Sequence, residues 1–204
     1  MKPLLSFLVF LGCVVLAARV NAANPFLSAT DDKPVSARFA GTEWNQDYGI
    51  KEFPLRATIV TTRIAHAAWG DIFKVSFEKI GSRLTPKREI YPDYFIVTDN
   101  EIVIMGDEKP EEAAKQLAAS PTAPPFEPGD VRGIRTGTRK MSDGLRETSI
   151  IVKGNRCTYM WSHNSGHFTT IIWQKGVGLI EYAQGRGASA DGYRLKRVVG
   201  KIKS

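Results

Sequence analysis

The sequence predicts a mostly β domain with one helix, arranged as an antiparallel meander that forms a curved sheet or an incomplete barrel. Three observations support this prediction: β-branched and alternating runs recur from residue 55 onward, short turn-forming segments separate them, and one stretch has a clear helical pattern. Short connections make neighbouring strands pair in sequence order. A two-sheet β-sandwich is the alternative arrangement of the same strands.

The N-terminal segment, residues 1–22, has the features of a cleavable secretory signal peptide. Lys2 supplies a positive charge, residues 4–18 are nearly all apolar, and residues 20–22 are of a kind that a signal peptidase accepts. Arg19 ends the apolar run before it reaches the roughly 20 residues that a bilayer span requires. We therefore expect cleavage near Ala22, a periplasmic or secreted protein, and a mature chain without a stable membrane span.

The remaining residues, 23–204, are expected to form a single domain. The whole chain has a formal net charge of +7, and loss of Lys2 and Arg19 with the signal leaves it moderately positive. This charge favours anionic partners, although export argues against nucleic acid. Cys157 is then the one remaining cysteine, which excludes an internal disulfide. It is either a buried thiol or a thiol available for intermolecular pairing or reaction.

The first elements follow from local patterns. Residues 23–51 lack sustained periodicity and predict an extended arm on the domain surface, with Phe26, Phe39 and Trp44 able to dock it. Residues 56–63 and 71–80 predict strands, and 64–70 between them is either a helical turn or a bulged corner. Residues 94–105 predict a hairpin.

The second half begins with the predicted helix, residues 107–120, where Pro110, two glutamates and an alanine-rich stripe suit a helix that covers the concave face of the sheet. A proline-rich spacer, residues 121–129, follows it. The last part of the chain predicts six further strands, near residues 131–141, 146–153, 155–162, 167–174, 178–183 and 192–199.

Two groups of residues are candidates for ligand binding. Closely spaced arginines can hold a carboxylate or phosphate, although charges along a strand edge also discourage aggregation. Aromatic residues of the glycine-rich hairpin 173–195 suit either a core or a recognition surface. This hairpin resembles C-terminal strands of exported bacterial β-sheet envelope proteins, a resemblance that implies no activity. The binding candidates are Arg132, Arg135, Arg139, Arg146, Trp173 and Tyr182.

A third group, His163, His167 and Cys157, has side chains that are good ligands for zinc or copper. The two histidines flank a turn that can bring them together, but the spacing matches no strong metal signature. Both are also ordinary residues for a turn. Catalysis through Cys157 has little support because the residue falls inside a predicted strand.

The sequence thus favours an exported protein of the bacterial periplasm or cell envelope. We expect a non-enzymatic module without a cofactor that binds an envelope protein or an amphiphilic ligand on its curved sheet. The alternative is a metal-dependent hydrolase that uses His163 and His167. Titratable groups that meet in one pocket would favour the enzyme, whereas an apolar groove would favour the binding module.

Overall fold

The computed structural model describes residues 25–27, 33–49, 51–82, 84, 93–98, 102–105, 110–122, 139–187 and 190–199. The predicted signal peptide, most of the proline-rich spacer 121–129, and both Arg132 and Arg135 lie outside these residues. Residue 139 is described as part of a strand, without its side chain.

The described residues form eleven strands, one short 3-10 helix (Gln46–Tyr48) and one α-helix, α1 (Pro110–Ala118). The strands are β1 (Val35–Asn45), β2 (Glu52–Ala67), β3 (Gly70–Gly81), β4 (Asp93–Val97), β5 (Ile102–Ile104), β6 (Arg139–Ser142), β7 (Arg146–Lys153), β8 (Arg156–His163), β9 (Phe168–Gln174), β10 (Gly178–Arg186) and β11 (Asp191–Arg197).

All eleven strands belong to one antiparallel sheet with the order β5-β4-β3-β2-β1-β11-β10-β9-β8-β7-β6. Strands that follow one another in sequence are neighbours, except that β5 and β6 lie at opposite ends of the order. The first strand, β1, also pairs with the last, β11. The sheet therefore joins two meanders, β1 to β5 and β6 to β11, along a single seam. It curls into a half-barrel, which confirms the predicted fold class.

The position of β1 at this seam shows that one prediction was wrong. Residues 23–51 were expected to form a surface arm, but Val35–Asn45 is a strand in the middle of the sheet, paired with β2 on one side and β11 on the other. Its weak periodicity has a physical reason. The half of β1 that faces inward contains Ala37, Gly41 and Glu43 beside Phe39, so small and polar residues interrupt the apolar alternation.

The inner face of the half-barrel is filled by its own side chains. Phe95 of β4 and Trp173 of β9 meet edge to face with ring centroids 5.4 Å apart, and Phe77 of β3 meets Tyr182 of β10 at 5.0 Å. These pairs join strands that are far apart in the sheet order, so the sheet curls around them. Aromatic and aliphatic side chains from nearly every strand complete this core.

Helix α1 lies on the outer face, not on the concave face as the sequence analysis expected. It packs against β2 and β3, where Ala114 joins a small cluster with Ile72, Tyr94 and Ile96. Ile72 and Ile96 alternate with the inward-facing Phe73 and Phe95, which places them on the opposite side of the sheet. The aromatic pairs already occupy the inner face, so the apolar stripe of the helix packs on the outer one.

Most of the remaining element predictions agree with the structure. Strands β7 to β10 lie at the predicted positions, and the expected hairpin 94–105 corresponds to β4 and β5. Of the predicted strand 131–141, residues 131–138 lie outside the described residues, and β6 covers Arg139–Ser142. The uncertain segment 64–70 is a hairpin corner with an irregular register near residues 63–65, which is the bulged alternative.

Candidate functional site

One end of the inner face is occupied by residues 25–27, which we call the plug. Phe26 and Leu27 are 6% and 4% exposed and belong to the main core. The amide of Gly176 donates a hydrogen bond to the carbonyl oxygen of Pro25 over 2.9 Å. The ammonium group of Lys175 lies 5.5 Å from the centre of the Phe26 ring. Phe26 is therefore buried against the domain as expected, whereas Phe39 and Trp44, which were expected to dock the same arm, belong to the central strand β1.

The plug fills a pocket lined by four strands, β1, β2, β10 and β11. Alternation in β1 turns Val35, Ala37 and Phe39 inward, and Ile59 and Leu179 face them from β2 and β10. The space left open beside Leu27 is about 20 Å³, enough for a single water molecule. The chain itself therefore occupies most of an apolar pocket.

Among the residues that the structure describes, one cationic side chain lines the same pocket. Arg197, near the end of β11, is half-buried and lies opposite Phe39 in the strand register. One of its terminal nitrogens donates a hydrogen bond to the carbonyl oxygen of Val177 over 2.5 Å. Within the part of the chain that the structure describes, no carboxylate forms an ion pair with it. An apolar pocket with a guanidinium group at its wall has the polarity of a site for an anionic amphiphile.

The two histidines of the proposed metal site are brought together at the opposite end of the sheet. Their Nδ1 atoms lie 2.6 Å (His163) and 2.8 Å (His167) from the hydroxyl oxygen of Ser165, which sits between the rings. The turn is held by hydrogen bonds from the amide of His163 to the carbonyl of His167 and from Gly166 to His163, each 2.9 Å long. The predicted approach of the two side chains is therefore observed.

Cys157 does not join the histidines. It lies six residues from His163 on the same strand, a separation of about 20 Å at ~3.3 Å per residue. The thiol is fully buried, and this burial raises its pKa to about 11. Of the two interpretations of Cys157, the buried thiol is the one observed. Among the residues described, no three side chains of His, Cys, Asp or Glu are placed to hold a metal ion together.

The other candidates occupy different surroundings. Trp173 and Tyr182 are 0% and 1% exposed, so both are core residues. Arg146 is exposed at the start of β7, where its amide donates to Asp143 over 2.7 Å. The structure does not bring these three residues into one site.

Three residues were not singled out from the sequence: Arg197 and Leu27 of the pocket, and Glu43. Arg197 and Leu27 gave no signal, because a cation at a strand end and a leucine outside any periodic run are both common. Glu43 is fully buried on the inner face, where it accepts hydrogen bonds from Ser82 Oγ at 2.6 Å and the amide of Leu84 at 3.2 Å. The signal in the sequence that could have pointed to Glu43 is that a charged residue interrupts the apolar alternation of β1.

Comparison with known proteins finds no matching family model and no curated relative. Within the described residues, no helix combines the length and apolar character needed to cross a lipid bilayer.

Proposed function

We propose that the protein is an exported, non-enzymatic binding module of the bacterial periplasm or cell envelope, and that its ligand is an anionic amphiphile. The apolar part of the ligand takes the place of Phe26 and Leu27, and its anionic group pairs with Arg197. One observation carries the proposal: an apolar pocket lined by a guanidinium group is filled by a short segment next to the N-terminal end of the described chain.

The energetics are compatible with displacement of the plug. Exposing one phenylalanine and one leucine costs about 1.5 to 3 kcal/mol for each side chain, and each buried methylene returns about 0.8 kcal/mol. A ligand chain of roughly four to eight methylenes offsets that cost. The ion pair with Arg197 then adds affinity, because this cation currently donates to a neutral carbonyl.

Calorimetric titration with dodecanoate tests the proposal. We expect the unmodified protein to bind it, and a variant with both Phe26→Ala and Leu27→Ala to bind it about ten-fold more tightly or better, because no plug has to be displaced. Leu145→Ala is the matched control, since Leu145 is 56% exposed in the turn before β7. Equal affinity of the plug variant and the control, or no binding by any of them, would overturn the proposal.

An envelope protein remains the alternative occupant of the same pocket, through an apolar anchor side chain beside an acidic group. Calorimetry distinguishes the two ligands. Binding of a fatty acid anion at the plug supports the anionic amphiphile as the ligand. Binding of a protein partner without any affinity for dodecanoate contradicts that proposal.

The second candidate function is metal-dependent hydrolysis at His163 and His167. The observation that favours it is the convergence of both Nδ1 atoms on Ser165. Titration with zinc and with copper should then show a site that His163→Ala and His167→Ala each remove. A protein that binds neither ion excludes this function while leaving the amphiphile proposal intact.

A further inference from the structure

A cluster of basic residues lies on the outer face, where β2, β1 and β11 run side by side. Arg56 and Lys196 are the cross-strand neighbours of Ala40 on its two sides. Arg38 precedes Ala40 by two residues on the same face, and Arg194 faces Thr42. Because adjacent strands are about 4.8 Å apart, four cations surround a centre of small side chains.

The small side chains leave a hollow of about 380 Å³. We call it the basic hollow; it is lined by Arg38, Phe39, Ala40, Arg56, Ala57, Thr58 and Val198. Val198 follows β11, is 48% exposed and lines the hollow beside Arg38 and Arg56. The amide of Val198 donates to the carbonyl of Arg38 over 2.8 Å, which holds Val198 against this part of the sheet.

The charge around the basic hollow is mostly uncompensated. Lys196 contacts Glu181 at 3.7 Å, and Glu78 lies beside Thr58 on the far side of β2. Arg38, Arg56 and Arg194 form no ion pair with any residue that the structure describes, and all three are exposed. With respect to the described residues, the hollow therefore presents three guanidinium groups without an ion pair, next to the exposed side chain of Val198.

We infer that the basic hollow is a docking surface for a bilayer that contains anionic phospholipids. Guanidinium groups pair with lipid phosphates in bidentate geometry, and the hollow has the volume for a head group. The exposed side chain of Val198 can enter the interfacial region of a bilayer, whereas a nucleic acid backbone offers it no apolar contact. This surface is on the opposite side of the sheet from the plug, so the inference does not depend on the proposed ligand.

Co-sedimentation with vesicles tests the inference. The unmodified protein should sediment with vesicles that contain phosphatidylglycerol and stay in solution with pure phosphatidylcholine vesicles. Arg38→Gln, Arg56→Gln and Arg194→Gln together should reduce the partition coefficient on the order of 100-fold, at roughly five-fold for each basic residue. Val198→Ser should reduce the partition coefficient by a few-fold without a change in charge.

A charge-matched control decides whether position matters. Lys115→Gln, Lys153→Gln and Arg156→Gln together remove the same charge from exposed sites on α1 and around the β7 to β8 turn. We expect this triple variant to retain most of the binding. Equal losses in the two triple variants would show that net charge alone attracts the protein, and absence of binding to anionic vesicles would equally overturn the inference. The double variant Phe26→Ala and Leu27→Ala should still bind anionic vesicles, which would show that vesicle binding does not require the plug pocket.

Discussion

The two faces of the half-barrel differ in how their side chains are used. The inner face brings together large aromatic residues from distant strands, including Phe95 and Trp173, and excludes water from nearly its whole length. In the part of the chain that the structure describes, the outer face carries arginine and lysine over small residues at its centre, and an apolar cluster lies where α1 covers it. Stability therefore depends mainly on the inner face, and the described centre of the outer face presents exposed charged side chains.

The largest expected difference between the two faces is in the unfolding free energy that is lost when either of two neighbouring isoleucines is replaced by alanine. Ile171 is 1% exposed on the inner face, while Ile172 is half-buried on the outer one. Ile171→Ala should lower the free energy of unfolding by about 2 to 5 kcal/mol because it leaves a cavity in a packed core. Ile172→Ala should cost about 1 kcal/mol or less. Urea denaturation measures both, and equal losses would contradict the assignment of the faces.

The seam between the two meanders offers the next test. A Cβ atom at Gly41 would lie 1.8 Å from the carbonyl oxygen of Arg194 on β11, so Gly41→Ala forces the central strands apart. We expect a loss of about 1 to 3 kcal/mol in unfolding free energy. Gly81→Ala is the matched control, since its nearest contact would be at 3.7 Å. A seam that tolerates Gly41→Ala as well as the control would count against close packing there.

The buried thiol makes stability depend on alkaline pH. Burial favours the neutral form of Cys157 and raises its pKa from 9.0 to about 11, so the thiolate is favoured by unfolding. The buried neutral thiol therefore contributes fully to the free energy of unfolding below pH 9. As the pH rises toward 11 this contribution is lost, which lowers the free energy of unfolding by up to about 2 kcal/mol. The difference in unfolding free energy between the unmodified protein and Cys157→Ala should therefore change over this range. A constant difference, or rapid labelling of the native thiol, would contradict its burial.

The smallest expected effect is the change in ligand affinity when Arg197, the cation that lines the pocket, loses its charge. Arg197→Gln keeps a hydrogen-bond donor near Val177 but removes the charge, so dodecanoate should bind about five- to ten-fold more weakly. Dodecanol, which has no charge, should lose little affinity. Equal weakening of both ligands would mean that Arg197 supports the pocket only through packing.

The sequence predicted most of the fold because its strands are separated by short turns. Alternation of Phe73, Val75 and Phe77, together with the glycine turns of the second meander, was enough to place the strands and their order. The central strand β1 was missed because Gly41 and Glu43 interrupt its apolar face. Its role depends on pairing with β11, which is distant in sequence and leaves no local signal.

The candidate site was predictable only in part. The turn that joins His163 and His167 is local, so the spacing of the two histidines was sufficient to predict their approach. The pocket around Leu27 combines residues from four strands and the plug, and the basic hollow combines residues of β1, β2 and the β11 end of the chain. Such juxtapositions arise from the curl of the sheet and from the β1 to β11 seam. Neither is encoded in the spacing of residues along the chain.

A crystal structure of the protein with dodecanoate would show whether the ligand replaces the plug. We expect the hydrocarbon chain between Phe39 and Leu179, the carboxylate paired with Arg197, and Phe26 and Leu27 displaced from the pocket. Dodecanoate bound elsewhere, with the plug still in place, would contradict this expectation.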